Sequence, residues 1–173
     1  MNIFVLDPDP AIAASYHCDQ HLHKMILESA QMLCTWAHVK EIGDPILRRS
    51  IYKPAYINHP CTQWIIQDIK NVNWVIQLCL NIQEIRYSLG CNEHSSMLII
   101  RAIRDFVDES QHENPTSFIF TGNPALQLTN LTVPEKYQYY YRNKHLQWIA
   151  EKNQGMTYKN RPIPPFMSNL IQS

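Results

Sequence analysis

The sequence predicts an all-α fold: a single compact helical domain over residues 1–173, built around a buried central helix, with long loops and an extended C-terminal tail. Apolar residues recur every three or four positions along several long stretches, which is the period of a helix. Capping residues, prolines and a glycine border most of these stretches. The 173 residues, 45% of them hydrophobic and 17% charged, are enough for one domain with a sizeable core.

The central helix is predicted over Asp19–His38, where apolar residues cover most of the helical circumference. Such a helix is expected to be buried nearly all round. One polar stripe, spaced by three and four residues so that it lies on a single face, consists of His21, Lys24, Glu28, Gln31 and Thr35. A carboxylate on a buried helix is costly unless it is paired or used, and Lys24 is the nearest partner for Glu28. The pattern alone fits a structural ion pair and a catalytic site equally well.

Shorter elements are predicted on either side of the central helix. Asn2–Leu6 is an apolar run that fits either a strand or an extended arm against the core. Asp9 is a good N-cap and Pro10 a good first helical residue, so a short helix is predicted over Ala11–His17. After the central helix, Ile46–His59 has only weak periodicity and is predicted as a basic and aromatic loop.

Two further helices are predicted after this loop. A long helix is predicted over Cys61–Leu89, where apolar residues recur at helical spacing, with Asn71 and Asn73 as candidate positions for a bend. Gly90 supplies the stop signal of this helix. Another helix is predicted over Glu93–Ser110, because apolar residues again recur at helical spacing along it.

The C-terminal part is predicted as a loop, a helix and a tail. Asn114–Leu131 is rich in Pro, Thr and Asn and is predicted as a long loop. Thr132 and Glu135 predict a capping box that begins the last helix, which is rich in tyrosine and runs to about Asn153. The tail over Tyr158–Met167, made largely of Lys, Arg, Pro and Phe, is predicted to be extended.

The composition bounds the class of protein. The net charge is zero, yet residues 135–161 contain six basic and only two acidic side chains. A neutral protein whose charges are unevenly distributed can still bind a phosphate backbone with its basic face. No apolar run approaches the roughly 20 residues that a membrane span requires, so we expect a cytoplasmic protein without a membrane partner. The five scattered cysteines do not form a disulfide pattern and are expected to be reduced.

Several kinds of catalytic site are poorly supported by the sequence. The chain has only four glycines, no glycine-rich phosphate loop and no strand-turn-helix nucleophile elbow, which argues against nucleotide-binding folds and serine hydrolases. His17, Cys18, His21 and His23 lie close together along the chain but do not repeat as paired ligands. We therefore predict no metal and no other cofactor.

The polar stripe offers the groups that cleavage of an N-glycosidic bond requires. A carboxylate stabilises the positive charge that develops on the sugar, or activates the attacking group, and an amine can attack the anomeric carbon. Aromatic and basic side chains can fill the gap that an extruded base leaves in a duplex. The predicted catalytic residues are Glu28, Lys24 and Gln31.

The stretch Asp19-Gln20-His21-Leu22, followed by Glu28, resembles the corresponding helix of the T-even phage pyrimidine-dimer DNA glycosylase family. The resemblance extends in order to His59-Pro60 with Trp64, to the aromatic last helix and to the basic tail. It implies an all-helical fold, a catalytic role for Glu28 and a DNA contact for His21. The tyrosine-rich C-terminal part is similar in kind to the DNA-binding tail of that family.

One feature departs from the family pattern. The family nucleophile is the amine of a small residue exposed after removal of the initiator Met, whereas this chain begins Met1-Asn2, and Asn is a poor second residue for that processing. The sequence therefore favours a glycosylase in which Glu28 activates water and an abasic site is left. An amine nucleophile and an associated lyase step stay open as the alternative.

We expect a monomeric DNA glycosylase that acts on a damaged or modified pyrimidine flipped out of double-stranded DNA, either a pyrimidine dimer in repair or a bulky modified phage base in antiviral defence. The alternatives are a transferase that acts on hypermodified phage bases and a non-catalytic DNA-binding module. Besides His21, the predicted DNA contacts are Arg48, Arg49, Tyr52, Lys53, His59, Arg142, Lys144, Lys159 and Arg161.

Overall fold

A computed structural model describes residues 1–107 and 114–171 of the chain. Within these residues every regular element is helical, so the predicted all-α fold is confirmed. The α-helices of this part of the chain are α1 (Pro10–Tyr16), α2 (Asp19–Val39), α3 (Pro45–Ser50), α4 (Pro60–Gln67), α5 (Ile69–Ser88), α6 (Ser96–Arg104), α7 (Pro124–Gln127) and α8 (Val133–Lys152). A short 3-10 helix covers Pro165–Met167.

Helix α2 is the centre of the fold, as its apolar circumference predicts. It packs against α4, α5 and α6, and α5 also packs along α1. Most of its side chains are buried, including Met25, Ile26 and Leu33. Burial from several sides fixes which way the polar stripe of α2 can face, and this orientation positions the site described below.

The N-terminal segment is an extended arm inserted into the core. Residues 3–6 are buried, and the Phe4 ring stacks on His21 of α2 and on Tyr140 of α8, with ring centroids 5.0 and 5.9 Å apart. At the end of the arm, the Leu6 carbonyl accepts a 2.9 Å hydrogen bond from Gln138 Nε2. The arm therefore ties α2 to α8 and leads the start of the chain along the central helix.

The predicted helix ends are confirmed where a capping group is present. The Asp9 carboxylate, for example, accepts hydrogen bonds from the first turn of α1. At the start of α8, Thr132 and Glu135 form the predicted capping box. These signals are local, so the sequence contains all the information they need.

The prediction of a loop over Ile46–His59 was wrong for its first half, which contains α3. Asp44 accepts a hydrogen bond from the Leu47 amide, and Pro45 occupies the first helical position. None of the six residues of α3 is buried, so this helix has no apolar stripe and leaves no periodic signal. Its stability comes from the cap and from its contact with α2.

The prediction of one helix over Cys61–Leu89 was also wrong, because Asp68 divides it into α4 and α5. Asp68 has extended backbone angles (φ −148°, ψ 140°), and its carboxylate caps α5 by accepting a 2.9 Å hydrogen bond from the Lys70 amide. Asn71, a predicted bend position, instead stabilises the break, since its Nδ2 donates a 2.7 Å hydrogen bond to the Trp64 carbonyl.

The remaining predictions were partly correct. The helix predicted over Glu93–Ser110 is found as the shorter α6, and positions 108–110 lie outside the described residues. The predicted loop over Asn114–Leu131 is irregular except for the four-residue α7. No helix in the described ranges combines the length and the hydropathy needed to cross a membrane.

The C-terminal tail over Tyr158–Met167 is extended only in part, since it turns at residues 159–160 and ends in the 3-10 helix Pro165–Met167, and it packs on the start of α2. The Asp19 carboxylate accepts hydrogen bonds from Arg161 Nη2 at 2.7 Å and from the Lys159 amide at 2.8 Å. The Asp19 amide in turn donates to the Thr157 carbonyl at 2.9 Å. The first turn of the central helix is thereby fixed by residues about 140 positions later in the chain.

Candidate active site around Glu28

The candidate site is centred on the Glu28 carboxylate, which lies on the polar stripe of α2 with only 13% of its side chain exposed. The backbone amide of Asn2 donates a 2.8 Å hydrogen bond to Glu28 Oε2, and the Met1 amino nitrogen lies 4.0 Å from the same oxygen. Lys24 Nζ lies 3.5 Å from Oε1. Three nitrogen groups therefore surround one largely buried carboxylate.

Asn2 fixes the arm against this carboxylate. Its Oδ1 accepts hydrogen bonds from the Ile3 amide at 2.8 Å and the Phe4 amide at 3.1 Å, and its Nδ2 donates to the Thr121 carbonyl at 3.3 Å. Phe4 adopts a left-handed backbone conformation (φ 47°) that non-glycine residues rarely adopt. The stacking of its buried ring stabilises this turn of the chain, which directs the Asn2 amide toward Glu28.

His59 is the predicted DNA-contacting residue that the structure brings to this carboxylate. It is the N-cap of α4, and its Nδ1 accepts a 3.2 Å hydrogen bond from the Cys61 amide. Burial lowers the pKa of His59, the nearby Met1 ammonium lowers it further, and the Glu28 carboxylate opposes both effects. The imidazole is therefore neutral at pH 7, and Glu28 is the acidic partner of the surrounding cations.

Further polar groups surround Thr121, whose carbonyl accepts the hydrogen bond from Asn2 Nδ2. The Cys61 thiol lies 3.6 Å from Thr121 Oγ1, and the Thr121 amide donates a 3.1 Å hydrogen bond to the Tyr137 hydroxyl. Burial raises the pKa of Cys61 and raises that of Tyr137 above its usual range. Both side chains are therefore protonated, and neither is an activated nucleophile.

Past Glu28, the polar stripe of α2 contains Gln31, whose predicted catalytic role stays a prediction, and Thr35, whose hydroxyl anchors neighbouring backbone. Gln31 lies about one turn after Glu28 and is half-buried, and its carbonyl accepts a 3.0 Å hydrogen bond from Thr35 Oγ1. Thr35 Oγ1 also pairs with the backbone of Ala55, accepting from its amide at 3.0 Å and lying 2.9 Å from its carbonyl. The stripe thus continues from the carboxylate to the loop that precedes α4.

His21 is placed in the core, which removes the DNA contact that the family resemblance implied. Only 2% of the residue is exposed, its Nδ1 is hydrogen-bonded to the Tyr141 hydroxyl, and its ring is covered by Phe4. Burial is the main cause that lowers the pKa of His21 to about 3. The ring is neutral and packs the arm between α2 and α8.

Two of the predicted DNA-binding arginines are also occupied by internal contacts. Arg161 donates to the Asp19 carboxylate and to the His17 carbonyl, and its side chain is only 9% exposed. Arg48 Nη1 donates to the backbone carbonyls of residues 41–43. Both guanidinium groups hold chain segments together, so they are poorly placed to bind phosphate.

The other predicted contacts lie at or near the surface in separate groups. Arg49 and Lys53 are exposed next to the loop that leads to His59, where the half-buried Tyr52 hydrogen-bonds to Ser96. On α8, Lys144 lies over the rings of Tyr140 and Trp148, whereas Arg142 lines a groove with apolar neighbours. Lys159 is exposed in the tail.

The sequence did not predict that Met1 and Asn2 lie at Glu28, or that Thr121 holds the Asn2 side chain. These residues have no periodic or motif signal, and only the amine of the family pattern pointed to the start of the chain. In the described part of the chain, no three His, Cys, Asp or Glu side chains are close enough to hold a metal ion.

No protein-family model matches this chain, and no curated protein and no solved structure is significantly similar to it.

Proposed function

We propose that this protein is a DNA glycosylase that turns a damaged or modified pyrimidine out of double-stranded DNA and cleaves its N-glycosidic bond, with Glu28 as the central catalytic carboxylate. The observation that carries the proposal is the convergence of three nitrogen groups on one largely buried carboxylate, with the Asn2 amide at 2.8 Å. The short DQHL and Glu28 pattern, which resembles a glycosylase family, supports the same assignment.

An ionised carboxylate suits the reaction because positive charge develops on the sugar as the bond to the base breaks. The electron pair of the N-glycosidic bond leaves with the base, which then takes up a proton. Glu28 stabilises the cationic sugar and accepts the proton of the attacking group. Its low exposure strengthens this electrostatic effect, since fewer water molecules screen the carboxylate.

Two nucleophiles are compatible with this site. Water activated by Glu28 would give an abasic site directly. Alternatively, the Met1 amine, 4.0 Å from Glu28, could attack C1′ after losing a proton; the base leaves, the sugar ring opens and a protonated imine forms, which water hydrolyses. Lys24 is assigned as the ion-pair partner of Glu28, because an ion-paired ammonium is a poor nucleophile.

The test is incubation of the purified chain with ultraviolet-irradiated DNA, unmodified DNA and DNA that contains glucosylated hydroxymethylcytosine. An aldehyde-reactive probe scores abasic sites. We expect abasic sites on one of the two modified DNAs and a loss of about 100-fold or more in the Glu28→Gln variant, because a neutral amide neither stabilises the cation nor accepts a proton. Glu84→Gln, which changes an exposed residue of α5, is the matched control and should retain full activity.

Borohydride reduction during the reaction separates the two nucleophiles, because only an imine is trapped as a covalent protein–DNA complex. Absence of abasic sites on every substrate, with DNA binding intact, would contradict the glycosylase. That result would favour a transferase, which needs a small-molecule donor, or a non-catalytic DNA-binding module.

A further inference from the structure

The loop between α3 and α4, residues 52–59 and here called the Tyr56 loop, presents two large side chains to solvent. Tyr56 is 63% exposed and its neighbour Ile57 is 44% exposed. Single exposed apolar residues are common on protein surfaces, but two adjacent ones at the tip of a loop form a protruding apolar edge.

The Tyr56 loop is held rigidly, which argues that the edge has a defined geometry. His38 Nε2 is hydrogen-bonded to the Tyr52 carbonyl at 3.1 Å, and the Ala55 amide donates to Thr35 Oγ1 at 3.0 Å. Past the tip, the His59 amide donates to the Tyr56 carbonyl at 2.9 Å, and Gln63 Nε2 donates to the Ile57 carbonyl at 2.6 Å.

Tyr56 itself has a backbone conformation that is unfavourable for its side chain. Its φ of 52° lies in the left-handed region, which residues other than Gly, Asn and Asp seldom occupy. The hydrogen bonds on both sides of the residue hold this conformation. A strained residue that carries an exposed aromatic ring is typical of a functional position.

The loop lies next to the Glu28 site. Thr35, which binds the loop at Ala55, is seven residues after Glu28 on the same helix, or on the order of 10 Å along the axis. His59 ends the loop, and the charges of both Glu28 and the Met1 amine affect its pKa. The loop that carries the exposed edge is therefore anchored to the helix that carries the carboxylate, about two turns further along it.

The surroundings of the edge are basic. Residues 45–67 contain Arg48, Arg49 and Lys53 and no Asp or Glu. Arg49 and Lys53 are exposed. Because phosphate groups flank every position of a duplex, exposed cations on the approach to an apolar edge favour DNA over an uncharged partner surface.

We propose that Tyr56 and Ile57 form a wedge that enters the duplex and fills the gap left by the nucleotide that turns out toward Glu28. The wedge rests on the proposed glycosylase function and adds the step by which the base is extruded. An extruded nucleotide exposes the faces of the two neighbouring base pairs, and an aromatic ring beside an aliphatic side chain covers such faces well. Arg49 and Lys53 hold the flanking phosphates.

Binding to DNA with a gap already present tests the wedge without knowledge of the target base. The probe is a duplex with one tetrahydrofuran abasic analogue and with 2-aminopurine as its 3′ neighbour, compared with the intact duplex. We expect the whole chain to prefer the abasic duplex and to change the 2-aminopurine fluorescence. Tyr56→Ala and Ile57→Ala should each reduce this preference about tenfold or more, because base–aromatic and apolar contacts in the gap are lost.

Two further variants control for unspecific effects. Tyr56→Phe keeps the ring and should retain both the preference and the fluorescence change. Ile12→Ala removes an apolar side chain of similar exposure to Ile57 from α1, which packs along α5, and should behave like the unmodified protein. Since Tyr56 and Ile57 are exposed, thermal unfolding of all variants should match that of the unmodified chain.

The outcomes separate the wedge from the glycosylase. If Tyr56→Ala and Ile57→Ala match the unmodified chain in abasic preference and fluorescence, the wedge is overturned, whereas Glu28-dependent base release would still support the enzyme. A Tyr56-dependent preference for the abasic duplex without any base release would support the wedge and contradict the glycosylase. If the unmodified chain shows neither preference nor base release, both proposals fail.

Discussion

The backbone amide of Asn2 donates a hydrogen bond to the Glu28 carboxylate, which joins the start of the chain to the central helix across 26 positions. This contact depends on the buried Phe4 ring, which stacks on His21 two turns before Glu28 on the same helix. The core and the candidate site are therefore coupled. Packing of the arm between α2 and α8 determines which groups surround the carboxylate.

The polar stripe of α2 consequently has three different environments along one helix face. His21 lies in the core, Lys24 and Glu28 form the candidate site, and Thr35 anchors the Tyr56 loop. A single stripe can thus hold together the arm, the carboxylate and the proposed wedge. This arrangement explains why a buried helix carries polar residues at regular spacing without a continuous solvent-exposed face.

The first prediction concerns the anchor of the arm. Asn2→Ala removes the acceptor of the Ile3 and Phe4 amides and the donor to the Thr121 carbonyl, so the position of the Asn2 amide is less well fixed. We expect a decrease of about 1–3 kcal/mol in the free energy of unfolding, because buried backbone groups lose their partners. Base release should slow by about tenfold, since the carboxylate loses an ordered hydrogen-bond donor.

Urea denaturation and single-turnover base release measure these two effects of Asn2→Ala. Asn130→Ala, at an exposed position of the loop before α8, is the control and should change neither quantity. Base release that is unaffected in Asn2→Ala, despite a clear loss of stability, would show that the arm has no part in the chemistry.

The second prediction concerns the break between α4 and α5. Asp68→Ala removes the carboxylate that caps α5, so the free energy of unfolding should fall by about 1 kcal/mol. Asp68→Asn retains a capping oxygen, so its free energy of unfolding should fall by only a few tenths of a kcal/mol. Thermal or urea unfolding measures both variants, and equal losses in the two would indicate that the negative charge matters rather than the cap.

Sequence reasoning succeeded where a signal was local and failed where it depended on distant packing. Thr132 and Glu135 form their predicted capping box because both groups belong to one helical turn. The apolar circumference of α2 predicted its central position for the same reason. In contrast, Asp68 interrupts a stretch of regular helical periodicity. Asn71 compensates the break, because its side-chain amide donates a hydrogen bond to the Trp64 carbonyl seven residues earlier.

The candidate site shows the same limit. The spacing of Lys24 and Glu28 predicted their ion pair, because residues four apart on a helix are neighbours. The sequence did not predict that Asn2 contacts Glu28 or that Thr121 contacts Asn2, since these contacts span 26 and 119 positions. His21 has the same spacing as its neighbours in the stripe, and the family resemblance implied a DNA contact for it, yet the arm covers its ring and buries it in the core.

The third prediction is a loss of stability in mild acid, caused by two buried histidines. Burial is the main cause that lowers the pKa of His17 to about 4 and that of His21 to about 3, and both side chains are almost fully inaccessible. His17 Nδ1 donates to the Ala13 carbonyl at 2.7 Å. Protonation would place an unpaired charge in the core.

The direction of the effect follows from the order of the pKa values. Both folded-state values lie below the value of 6.5 in the unfolded chain, so the unfolded chain binds protons more strongly. Stability is therefore complete above about pH 6.5 and decreases as the pH falls toward 4 and then 3. Each histidine contributes about 1.4 kcal/mol per pH unit in this range, or about 4 kcal/mol for both between pH 7 and pH 5.

Urea denaturation at pH 7 and at pH 5 measures this loss, and His17→Gln provides the assignment. Glutamine does not titrate, so the decrease between the two pH values should be about 2 kcal/mol smaller in this variant than in the unmodified chain. The variant is also expected to be less stable at pH 7, because the fit of the ring in the core is lost, but that offset is common to both pH values and cancels in the difference. An equal decrease in the two proteins would mean that His17 is not the group whose protonation destabilises the fold.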